Sequence, residues 1–218
     1  MELNTMARGT SIVDAGIDSK DIHVCAWVQR KLGSVAHERR VARKADMFFQ
    51  LTRRWHELGR AECRLLTLAA LVHDVGRAEG DDGHEKSGSR MLIENTSLPL
   101  TEAEKRRLAF MTRYHRGRVP EVGAEQYLNC NLDDLRAMRT LLGLLRAADA
   151  LDSRSQSGPQ IVATVYGKVI TIYGYVAGDA AVAAATLGKP KKFKLLESTL
   201  GCQVRTQWFS TDRLALVS

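Results

Sequence analysis

No stretch of the 218-residue chain approaches the roughly 18 uninterrupted apolar residues of a membrane span. The N-terminus lacks the basic-then-apolar order of a secretory signal. Both absences point to a soluble, cytoplasmic protein with no membrane partner. Cysteine is sparse and dispersed: Cys25, Cys63, Cys130 and Cys202 form no C-x-x-C pair, which excludes a disulfide framework and reads as reduced thiols. No phosphate-cradling G-x-x-x-x-G-K-[ST] or G-x-G-x-x-G surrounds Gly167 or Gly188, so these glycines serve turns. An aromatic-studded basic strand and a groove-reading motif are also missing, which disfavours nucleic acid.

What the chain does have is positive charge. Lys plus Arg number 32 against 25 Asp plus Glu, a net charge of +7 that favours an anionic partner. The basic residues are scattered, in short clusters such as Arg39-Arg40, Arg53-Arg54 and Lys105 to Arg107, and do not form a single stripe. Charge therefore narrows the partner without naming it.

The segment LLTLAALVHDVGR, Leu65 to Arg77, organises the rest. Its apolar run predicts a buried helix to Asp74. An ionised carboxylate at the end of such a helix is costly unless it is paired or bound to a cation, so His73-Asp74 needs partners. Around it the periodicity predicts a helix from Ser19 to Gly33 and a second over Val35 to Leu58, ended by Gly59. On the second, Val41, Ala45, Phe48, Thr52 and Trp55 define one face. His37 shares that face; His56 falls off it and is expected to be exposed, and His23 on the first helix reads as a surface or packing histidine.

After Gly76 the acidic loop AEGDDG leads to His84 and a short helix with Met91 and Leu92 inward. Thr101-x-x-Glu104 is a capping box for the next helix, where Leu108, Met111 and His115 share a face. Arg116 to Asn131 reads as a loop around Gly117, Pro120 and Gly123. A long helix from about Asn131 then places Leu135, Met138, Leu142, Leu145, Asp149 and Asp152 on one stripe. Each inward histidine taken alone fits an ordinary hydrogen-bonded core residue. Together with the dyad, a single metal centre accounts for all of them, and a ligand set of imidazole and carboxylate suits Mn, Fe, Zn or Mg.

His37, then His73-Asp74, then Asp149 resembles the H…HD…D order of the HD-domain metal-dependent phosphohydrolases. HERRVARKADMFF, LAALVHDVGR, RYHRGRVPE and LLRAADALDSR look like the C-terminal HD region of the exopolyphosphatase and guanosine pentaphosphate phosphohydrolase family. KKFKLLESTLG extends the likeness, which covers roughly residues 30 to 205. The resemblance implies a divalent cofactor, one or two ions, with His37, His73, Asp74 and Asp149 on the first and Asp74 bridging to a second on His84 and His115. His73 and Asp74 are the residues expected to be catalytic. The implied activity is a hydrolase that attacks a phosphoester or phosphoanhydride of a nucleotide or polyphosphate-like substrate with metal-activated water.

Two departures stand out. The actin-like half that carries catalysis in two-domain exopolyphosphatases is absent from the sequence, which leaves a non-catalytic metal- and nucleotide-binding regulatory module as the alternative. The loop reads GHEKSG where relatives carry a histidine-rich cluster. Arg77, Arg116 and Arg146, with Lys86, are the candidate substrate-binding residues, because guanidinium forks suit phosphate oxygens.

The expected architecture is mainly α: a loose leader over 1–20, an HD-type helical metal-binding bundle over 21–155 and a small α+β appendage over 156–218. Within the appendage, QIVATVYGKVITIYGYV reads as a hairpin. A helix over Asp179 to Leu187, another ending at Gly201 and a strand over Cys202 to Phe209 follow. The appendage is expected to pack on the body, cover the cleft or form a homodimer contact.

Overall fold

The protein is described from a computed structural model covering residues 6–7, 19–118, 128, 132–154 and 158–212. Helices α1 (Ser19–Leu32), α2 (Ala36–His56), α3 (Arg60–Val72), α4 (His84–Glu94), α5 (Glu102–Tyr114) and α6 (Leu132–Ala150) build the body. A 3-10 turn, Val75–Glu79, lies between α3 and α4. Pro120, Gly123 and Cys130 of the expected loop lie outside the described residues, as do residues 155–157 of the polar linker and all of the leader except Met6, Ala7, Ser19 and Lys20. The architecture is mainly helical with a small C-terminal sheet, as the periodicities require.

Helix boundaries follow local chemistry. α1 stops where Gly33 takes φ +75. α2 ends before Gly59, because Glu57 adopts a left-handed conformation and its N–H bonds back to the Arg53 carbonyl. Gly59 instead opens α3, its N–H donating to Glu62 Oε2 at 2.9 Å. His56, expected to be exposed, is half-buried: its ring lies 4.6 Å from that of Phe49 and its Nε2 donates to the Phe49 carbonyl at 3.1 Å. Its periodicity does leave the stripe, but the chain reversal at Glu57 and Leu58 folds over it. At α5 the capping box forms, with Glu104 N–H donating to Thr101 Oγ1 and Thr101 N–H to Glu104 Oε2.

The C-terminal sheet has the order β1-β2-β3-β4, from β1 (Met6–Ala7), β2 (Gln160–Tyr166), β3 (Val169–Val176) and β4 (Gln203–Ser210). β2 and β3 are the expected hairpin, turning at Gly167 with φ +54. Two residues of the stretch read as a loose leader, Met6 and Ala7, pair with Thr164 and Ala163. α7 (Ala180–Thr186) and α8 (Lys194–Leu200) carry the chain across so that β4 runs parallel to β3. Ile170 and Ile172 point inward and join Leu195, Leu196 and the helical residues Leu141, Leu144 and Leu145 in one continuous core. Gly143 lets α6 and α8 close together, since a Cβ there would lie 3.0 Å from Leu196 Cα.

Candidate metal centre

Five helix ends or first turns converge on one buried point. His37 lies in the first turn of α2; His73 closes α3 and Asp74 follows it. His84 begins α4, His115 closes α5 and Asp149 sits in the last turn of α6. His73 is fully buried and His84, His115, Asp74 and His37 nearly so; the Asp149 side chain, 21% exposed, is where the cluster opens to solvent.

Asp74 stands at the middle. Its Oδ2 is 3.9 Å from His37 Nε2 and 3.8 Å from His73 Nε2, both of which also face Asp149 Oδ1 at 3.6 and 3.5 Å. Its Oδ1 is 3.0 Å from His84 Nε2 and 3.4 Å from His115 Nε2. The close backbone that sets this spacing comes from glycine. A Cβ on Gly76 would lie 2.0 Å from the His84 carbonyl oxygen and 2.4 Å from Gly88 N, so the turn after Asp74 and α4 touch backbone to backbone.

The outer ring nitrogens fix the tautomers. Nδ1 of His73, His84 and His115 lies 2.7–2.8 Å from the carbonyls of Ala70, Asp81 and Thr112, and Nδ1 of His37 lies 2.7 Å from Asp152 Oδ2. Carbonyl and carboxylate oxygens only accept, so each Nδ1 carries a hydrogen and each Nε2 faces inward, where it donates to a carboxylate when protonated and offers a lone pair to a cation when not. This is how an imidazole is oriented to ligate. His73 Nε2 is a buried atom with no hydrogen-bond partner. His84 Nε2 and His115 Nε2 face each other at 3.3 Å, an arrangement that needs a second proton or a cation between them.

The electrostatics favour positive charge at the same point. Burial would raise the Asp74 carboxyl, but the charge of His73 and hydrogen bonds from His115 and His84 hold it far below the ordinary carboxylate range. Burial pushes Asp149 the same way and His37 and His73 overcome it. His73, which burial alone would lower, is drawn up to about 9 by Asp74 and Asp149. Among the described residues, two groups could hold a metal ion: His37, His73 and Asp74, and Asp74, His84 and His115. The all-N/O donor set, the fixed tautomers and the orphaned His73 Nε2 fit a divalent ion.

The expected substrate residues divide. Arg77 donates from Nε to Asp74 Oδ2 at 2.9 Å and from Nη1 to Asp81. Arg116 is exposed, with Nη1 3.4 Å from His84 Nδ1. Arg146 spends its guanidinium on the main-chain carbonyls of His115 and Gly117. Lys86 is exposed on α4, and among the described residues no hydrogen bond or ion pair joins it to the cluster. A cavity of about 350 Å³ beside His84 and His115 is lined by Arg113, Arg116 and Arg118 together with Asp81, Asp82 and Glu85.

Sequence reasoning missed a supporting ring. Arg154 Nε donates to Asp74 Oδ2 at 2.9 Å while its Nη2 bonds Glu38, which is fully buried. Asp152 holds His37 and accepts from Lys44 Nζ at 2.9 Å and Arg40 Nε at 3.0 Å. Burial would raise Asp152, but His37, Arg40 and Lys44 bring its carboxyl down to about 2. Arg40 and Lys44, three and seven residues after His37, carried a helical-spacing signal; Arg154, beyond the end of α6, carried none.

Fold and site together define a helical protein with a buried imidazole–carboxylate centre able to accept a divalent ion. Residues 33–168 match the family model of Ppx/GppA phosphatase, domain III, and the chain belongs to that family. The match ends within the β2–β3 hairpin, short of KKFKLLESTLG. A search of curated proteins gives no match.

Proposed function

We propose that the protein is a metal-dependent phosphohydrolase acting on a phosphoester or phosphoanhydride of a nucleotide or polyphosphate-like substrate. The observation that carries this reading is the convergence of four inward-facing Nε2 atoms on the two oxygens of Asp74, next to an arginine-lined cavity. A divalent ion at this centre supplies Lewis acidity toward the phosphoryl group and makes water nucleophilic near neutral pH. His37, His73, Asp74 and Asp149 would hold one ion, and Asp74, His84 and His115 a second. Asp152 and the Ala70, Asp81 and Thr112 carbonyls keep the imidazoles in the ligating tautomer. Arg116, exposed beside the cavity, meets the substrate phosphate at its mouth; Arg77 reaches it by leaving Asp81.

A second reading is a non-catalytic metal- and nucleotide-binding module, favoured by the family's own description as the third domain of a phosphatase. Release of phosphate or nucleotide from polyphosphate, nucleoside mono- to triphosphates and guanosine tetra- and pentaphosphate separates the two. With Mn, Mg, Zn or chelator, the enzyme turns over one of these only with metal, and Asp74→Ala abolishes it. Metal-loaded protein that turns over none of them leaves the binding module.

A further inference from the structure

The two oxygens of Asp74 do not offer the same thing to a cation. Around Oδ1, the donors Asp74 Oδ1, His84 Nε2 and His115 Nε2 form a triangle with edges of 3.0, 3.4 and 3.3 Å. A tetrahedral ion with bonds of about 2.0–2.1 Å has ligand–ligand edges of about 3.3 Å. The triangle is therefore one face of such a tetrahedron with little movement required.

Around Oδ2 the edges to His37 and His73 are 3.9 and 3.8 Å, and those from the same imidazoles to Asp149 are 3.6 and 3.5 Å. This side must contract, or accept bonds longer by about 0.2–0.3 Å. Oδ2 is also already an acceptor twice over, from Arg77 Nε and Arg154 Nε, each at 2.9 Å. Each guanidinium brings a full positive charge to the oxygen that a dication would have to use. Asp149 offsets one of them. Arg154 is held in place from its other end by buried Glu38.

We infer that the two positions fill unequally: the Asp74–His84–His115 triangle takes the first divalent ion, of the tetrahedral zinc class. Arg77 and Arg154 hold the His37–His73 side to weak occupancy. The inference rests on the metal-centre reading above and reverses the order that the H…HD…D pattern by itself suggests.

Titration of the chelator-treated 218-residue chain with cobalt(II), read by visible absorption, and with zinc, read by calorimetry, tests it. The expected result is one equivalent bound at least tenfold more tightly than a second, with the strong absorption of tetrahedral cobalt. His84→Ala loses the tight equivalent and His37→Ala keeps it. Arg154→Gln strengthens the second equivalent at least tenfold. Two equal equivalents, or a tight ion lost in His37→Ala and retained in His84→Ala, would overturn the inference while leaving the metal centre intact. No cobalt or zinc bound by the wild type overturns both. If His84→Ala does not fold, as circular dichroism would reveal, the His37→Ala and Arg154→Gln titrations decide the matter alone.

Discussion

The helical body and the C-terminal sheet are built on opposite rules. Among the described residues, every buried polar or charged side chain, from His37 and Glu38 to Asp152, belongs to the body. Beyond Asp152 the buried side chains are apolar: Ala163, Val165, Ile170, Ile172, Phe193, Leu195, Leu196 and Leu200 among them. Both regions share one core, so the difference is one of purpose. Burying carboxylates and cations costs free energy that hydrophobic side chains of the same volume would not incur. The body concentrates that cost at the metal centre, with Lys105, paired to Glu102, a buried cation outside it; the sheet contributes apolar burial at about 25 cal/mol per Å².

That contrast can be broken from either side. The largest effect is expected at the body's centre: Asp74→Ala should lower metal-dependent turnover by at least about 1000-fold while far-UV circular dichroism retains the helical signal, because a ligand is lost and little core volume. On the sheet side, Leu196→Ala should cost about 3 kcal/mol in denaturant unfolding and leave metal stoichiometry unchanged. If metal stoichiometry follows Leu196→Ala, the division fails. Asp152→Asn leaves Lys44 and Arg40 without their shared carboxylate and loosens the hold on His37. Metal affinity should fall about 10–100-fold, read by calorimetry.

Acid sharpens the same point. The Asp152 carboxyl is depressed in the fold to about 2 from 3.8, so its contribution is present above pH 4 and is lost as pH falls through 2. It amounts to about 2 kcal/mol. Urea unfolding of metal-free protein between pH 5 and pH 2 should show a shallower loss in Asp152→Asn than in wild type. The smallest change is Thr101→Ala, which removes a capping hydroxyl far from either centre and should cost about 1 kcal/mol with turnover unaffected.

The body's helices and the hairpin were legible because periodicity binds sequence to face: three- and four-residue steps carry His37, His115 and Asp149 inward with their apolar neighbours. What escaped lies where no period operates. Arg154 lies past the end of α6, where spacing no longer fixes a direction; Asp152 falls on the α6 stripe, but spacing does not reveal its contacts with His37, Arg40 and Lys44. Met6 and Ala7 are too short a strand to show alternation. Arg146 has helical spacing relative to Asp149, yet the nearest acceptors it meets are main-chain carbonyls, a property of the α5 terminus that spacing does not encode.

The Gly76–Gly88 contact reaches further than the packing of two segments. Because Gly76 is seated directly on the backbone of His84 and Gly88, Asp74 and His84 are spaced by main chain against main chain. The opposite wall is held differently: Asp149, Asp152 and Arg154, at and beyond the end of α6, are fixed by side-chain contacts to His37, to Arg40 and Lys44, and to Glu38. A bulky residue in place of Gly76 would therefore move Asp74 and His84 apart, whereas a change at Arg154 acts on the charge around Asp74 Oδ2 and leaves that main-chain spacing intact.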